Sequence, residues 1–122
     1  MRLKEFNKKY KYISDEERFN TSLDIWELPK NGEVIYGDCE SYCRFLRNNV
    51  DGFADWDYYY CKLNGEGHCV LYKDDNVIDC NIKEVVTEKS YKSIYNISDF
   101  RKYNWFTVVS KILVAKVYLW IN

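Results

Sequence analysis

Apolar residues recur at helical spacing downstream of residue 38. Cys39, Cys43, Leu46 and Val50 fall on one face, with Tyr42 and Phe45 beside them, so a helix is expected there. Gly37 allows a sharp turn just before it. Asp38 suits the N-cap, because its carboxylate can accept an unpaired amide of the first turn. Asn48-Asn49-Val50-Asp51-Gly52 reads as the stop. Residues 53–57 then read as a loop holding a buried Trp56. The pattern changes in residues 58–63, 68–73 and 77–80, which are short apolar runs split by Asn64-Gly65-Glu66-Gly67 and Asp74-Asp75-Asn76. This is the signature of a β-meander joined by hairpin turns.

Upstream, Leu3, Phe6, Tyr10 and Ile13 share a helical face and predict a short amphipathic helix. Ser14-Asp15-Glu16-Glu17 marks the start of a second. Pro29-Lys30-Asn31-Gly32 reads as a loop, and residues 34–36 lead into the cysteine turn. Residues 82–89 fit either state. Residues 91–97 read as a further strand, and Ser98-Asp99 as the start of a turn or short helix. Residues 106–121 are strongly apolar, broken by Ser110, Lys111 and Lys116. They predict a C-terminal helix packed on the sheet, with a strand as the alternative. The segment is shorter than the ~20 residues of a membrane span and carries two charges, so no span is expected.

The whole is expected to be one α+β domain over residues 1–122, since no linker, repeat or low-complexity segment divides it. An apolar share of 47% argues against disorder. Twelve tyrosines and four tryptophans fill a small core with large side chains. The net charge is −1 without a basic stripe, so nucleic acid is not an expected partner. Five cysteines, no Cys-x-x-Cys and a single histidine fit neither a disulfide scaffold nor a structural zinc site. With no apolar leader at the N-terminus, a reduced cytoplasmic protein is expected as encoded. A phage protein, or one exported by another route, is compatible with that, and the sequence leaves the oligomeric state open.

The chemistry concentrates in Cys39, His68 and Asp79. A thiol in the first turn of a helix meets the positive end of the dipole, which favours thiolate when a cation assists. His68 opens one strand and Asp79 closes the next, so a hairpin between them brings imidazole and carboxylate together. Asp79 would then orient His68, and His68 would face Cys39 in a Cys-His-Asp triad. Cys43, Cys61, Cys69 and Cys80 are assigned to the core or to strand faces. Trp26 is foremost a packing residue, and Asp38 and Glu40 are partners of the helix dipole.

Three segments in this order resemble the bacterial transglutaminase-like cysteine proteinases, within the transglutaminase-like superfamily. They are Gly37-Asp38-Cys39-Glu40-Ser41-Tyr42, Gly67-His68-Cys69-Val70-Leu71 and Val77-Ile78-Asp79-Cys80-Asn81. Trp26-Glu27-Leu28-Pro29 and Tyr91-Lys92-Ser93-Ile94-Tyr95-Asn96 are similar too, so the likeness runs over about residues 23–97. It implies a papain-like fold, with the cysteine helix packed on an antiparallel sheet. It implies amide-bond chemistry on a peptide or protein through an acyl-enzyme, by hydrolysis or transfer to an amine. The backbone amide of Cys39 would be one oxyanion donor, with Trp26 or the stretch around Asp38 as candidates for the second. Some relatives bind calcium through acids flanking the cysteine. Here Asp38 and Glu40 remain as candidates, but Ser41 replaces an acid, so no cofactor is expected. Two alternatives are an NlpC-type cell-wall peptidase, whose third group is often a second histidine, and a catalytically inactive transglutaminase-like binding domain.

Overall fold

The expected helix at the cysteine is α3, Cys39–Asn49, in the computed structural model, which describes residues 1–122. Asp38 caps it, its Oδ1 accepting the Ser41 amide at 3.1 Å. Before it come α1 (Leu3–Lys9), β1 (Tyr10–Tyr12), α2 (Asp15–Phe19) and β2 (Ile35–Gly37). After it come β3 (Asp57–Leu63), β4 (Glu66–Lys73), β5 (Asn76–Ile78), β6 (Val86–Thr87), α4 (Glu88–Ile94), β7 (Ile97–Lys102) and α5 (Trp105–Ile121). The chain is therefore α+β, with five helices and a five-stranded antiparallel sheet in the order β6-β5-β4-β3-β7.

The hairpins follow from their turns. Asn64 and Gly65 both take positive φ between β3 and β4, as do Asp74 and Asp75 between β4 and β5. Two such residues in a row make the mirror-image turn whose twist suits paired strands. β4 sends Cys69 and Leu71 into the large core under α3, and Val70 into a small cluster with Cys61, Val77 and Tyr91 of α4. The sheet is thus covered on both faces. Phe6 of α1 stacks on Tyr42 and Phe45 of α3, with centroids 4.8 and 4.6 Å away.

Three local expectations differ from the structure. The first helix stops at Lys9, because Tyr10–Tyr12 pairs in parallel with Ile35–Gly37. Residues 91–97 are not a strand through their length. Thr87 caps α4 by accepting the Ser90 amide at 3.1 Å, and Lys92 pairs with Glu88 one turn away. Ser98 and Asp99 lie in β7, paired with β3. The C-terminal segment is a helix, but only Val108 and Ala115 of it are buried. It approaches β3 where Val108 lies near Tyr58, then runs along the 19–26 segment. There the Tyr118 hydroxyl donates to the Phe19 carbonyl at 3.2 Å, and Lys111 pairs with Asp24 at 3.0 Å. No helix is long and apolar enough to cross a membrane.

The β1–β2 ladder fixes the turn ahead of α3. The Tyr10 hydroxyl donates to the Gly37 carbonyl at 2.8 Å, and the Ile13 amide donates to the same oxygen at 3.1 Å. A Cβ at Gly37 would overlap the Cβ of Ser41. Gly37→Ala is therefore expected to lower stability by about 1–3 kcal/mol, read as a reduced urea midpoint. An unchanged midpoint would show that the turn has room to spare.

Candidate active site

His68 is the third residue of β4, and Asp79 follows the last residue of β5. The two-residue turn sets Leu71 opposite Ile78, and the ribbon's open end brings the imidazole to the carboxylate. His68 Nε2 lies 2.8 Å from Asp79 Oδ2. Asp79 is fully buried, and the His68 side chain is only 10% exposed. Nδ1 of His68 remains for another partner.

Asp79 is held on every side. Its Oδ1 accepts the amides of Asn81 at 3.0 Å and Ile82 at 2.7 Å, closing a turn just past β5. Its Oδ2 also accepts the Tyr91 hydroxyl at 2.6 Å. Burial disfavours the charge, but His68, the Ile82 amide and Tyr91 outweigh it and hold the carboxyl below the usual range. Tyr91, whose hydroxyl is pushed up by burial and by Asp79, keeps its proton and stays a donor. No role for Tyr91 is readable in the sequence, because its neighbours look like strand formers and its contact with Asp79 exists only after α4 docks.

Cys39 is the first residue of α3, half-buried against the core. Its backbone amide has no carbonyl within the helix to bond. Cys39 and His68 line one cleft of about 210 Å³, together with Gly67, Cys80 and Tyr12. A second cleft of about 420 Å³ shares His68 and Gly67 and continues past Glu40, Tyr60 and Lys111. The other four cysteines are buried, as expected, and all five are free thiols.

The electrostatics of Cys39 run against the expected thiolate. Burial raises its pKa well above the ordinary thiol value, and Glu40, Cys69 and Asp38 add to the rise. The helix start is acid-rich, which opposes the dipole. The oxyanion candidates also sort themselves. The Trp26 indole N–H donates to Asp24 Oδ2 at 2.9 Å, and its ring packs edge-on to Tyr58 and Tyr103, so Trp26 is committed to structure. Asp38 is buried and spends Oδ1 on the cap.

Glu40 belongs to a cluster that the sequence did not reveal. One carboxylate oxygen each of Asp15, Asp24, Asp38 and Glu40 lie within 4.8 Å of one another. Asp15 and Asp24 arrive from separate segments, so no local spacing signals them. These residues are the ones that could hold a cation. Four oxygens fall short of the 6–8 that calcium prefers, and Asp24 is already engaged by Lys111 and Trp26. Without a cation, crowding keeps protons in the cluster. Burial and the neighbouring acids push Glu40 up to about 10 and Asp15 up to about 8.

The consequence for stability has a definite sign. Carboxyls raised in the folded state stabilise it fully below their unfolded pKa of about 4, and that gain is lost as pH rises through the native values. Asp79, depressed in the folded state, stabilises above its unfolded pKa and loses that as pH falls through its native value. The melting temperature is therefore expected to peak at mildly acidic pH and to fall between pH 5 and pH 9. Glu40→Gln should flatten that fall. A melting temperature rising towards pH 9 in the wild-type chain would contradict the protonated cluster.

No protein-family model matches the chain, and no curated protein matches it.

Proposed function

We propose that the protein is a cysteine-dependent amide or peptide-bond hydrolase of the transglutaminase-like superfamily, with a papain-like arrangement of helix and sheet. The observation that carries this reading is the His68–Asp79 pair, at 2.8 Å, on the wall of the cleft that Cys39 also lines. A peptide substrate would lie across the two clefts that meet at His68. Asp79 holds Nε2, so Nδ1 is the nitrogen that exchanges protons with the thiol. Nδ1 of His68 takes the thiol proton of Cys39 as sulfur attacks the carbonyl. The Cys39 amide donates to the developing oxyanion. His68 then gives the proton to the leaving amine, and the thioester is hydrolysed by a water that His68 deprotonates. Asp79 stabilises the imidazolium in both steps.

The test is hydrolysis of a mixed library of internally quenched peptides by the purified chain. Cleavage that disappears in Cys39→Ala supports the reading, and cleavage equal in the variant would sink it. The raised thiol pKa of Cys39 favours one second reading, a catalytically inactive transglutaminase-like domain used for binding. Under that reading the library stays intact with wild type and variant alike.

A further inference from the structure

α5 has an outer face that nothing in the fold covers. Phe106 is 80% exposed, Leu113 55% and Trp120 87%, with Val109 and Val117 between them. Val114 and Ile121 extend the strip, and Ser110 is the one polar residue inside it. The inner face, with Val108, Ile112, Ala115 and Tyr118, packs on the domain. The seven outer side chains expose on the order of 800 Å², about what a standard interface takes from each partner. A monomer seldom leaves so large a continuous apolar strip in water.

The spacing of the strip says what fits it. Phe106, Val109, Leu113, Val117 and Trp120 are separated by three, four, four and three residues, a sequence of intervals that is the same in both directions. Turned end for end about Leu113, the helix presents the same pattern. Phe106 of one copy then meets Trp120 of the other, Val109 meets Val117, and Leu113 meets its own counterpart on the axis. This is the self-complementary surface that a two-fold dimer requires. Charge selects the same orientation. Antiparallel pairing sets Lys116 opposite Ser110, whereas parallel pairing sets Lys116 opposite Lys116.

We propose that the chain forms a two-fold homodimer through antiparallel pairing of α5 with α5 of a second copy, centred on Leu113. The pairing buries the strip while leaving the Cys39–His68 cleft outside the contact, since none of the five seam residues lines it.

Sedimentation equilibrium of the full chain tests this. At about 100 µM the expected mass is twice 14.8 kDa. Leu113→Glu, at an exposed position that leaves the fold intact, should weaken association by about 100-fold or more. Phe106→Glu and Trp120→Lys should each dissociate alone and recover a dimer when mixed, which parallel pairing would not allow. A wild-type chain at 14.8 kDa overturns the proposal. So does a dimer that survives Leu113→Glu, or a mixture that fails to recover. Flotation of the wild-type chain with vesicles of phosphatidylcholine and phosphatidylglycerol would assign the strip to a lipid surface instead and overturn it equally.

Discussion

Replacing Cys39 with alanine is expected to abolish amide hydrolysis, a loss of at least about 10⁴-fold, and His68→Ala should do the same. Sulfur is the attacking atom; Cys43, Cys61 and Cys69 line neither cleft, and Cys80, which lines the cleft beside Cys39, is 5% exposed and opens no helix. His68 is the only histidine, so no second imidazole can take over the proton. Neither change should unfold the chain, since Cys39 is small and His68 stands at the wall of a cleft. The check is steady-state hydrolysis beside a thermal melt. Activity above a tenth of wild type in either variant would remove that residue from the chemistry.

Asp79→Ala is expected to be the most destabilising single change in the site, by about 3–5 kcal/mol. It strands the Tyr91 hydroxyl, the amides of Asn81 and Ile82 and the His68 ring at a fully buried point. Asp79→Asn is a gentler change. Its amide oxygen can still accept two of these bonds, but the charge that stabilises imidazolium is gone. The rate should fall by roughly 10²–10⁴ with the fold retained. A loss confined to stability, with an unchanged rate in Asp79→Asn, would make the carboxylate purely structural. Tyr91→Phe separates the roles further. It removes one bond to Asp79 and leaves the His68 contact in place, so its effect on rate should be much smaller.

What could be seen in the chain was local. The turn and cap at Gly37-Asp38 announce α3 because a cap is made within four residues. The hairpins are legible because Asn64-Gly65 and Asp74-Asp75 carry the backbone requirement themselves. The His68–Asp79 contact follows from that ribbon alone. What could not be seen depends on distant partners. Tyr10–Tyr12 continues a helical pattern and leaves it only because β2 lies beside it. Residues 88–94 carry β-formers, and the helix depends on the Thr87 cap and the Glu88–Lys92 pair. Asp15 and Asp24 look like ordinary solvated acids until the start of α2 and the loop after it come to Glu40. Burial first, and then Glu40 and Asp38 of that cluster, explain why the thiol is not lowered as the helix dipole alone suggests. For α5, an apolar run identifies a helix but not the side that is covered.

The most direct measurement is to treat the wild-type chain and His68→Ala with a peptidyl vinyl sulfone, then map the adduct by mass spectrometry. Conjugate addition needs a thiol placed beside a working base in a cleft that accepts a peptide. One adduct, on Cys39, formed in the wild-type chain and lost in His68→Ala is the predicted result. Labelling spread over several cysteines, or labelling of Cys39 at the same rate without the imidazole, would contradict a catalytic pair.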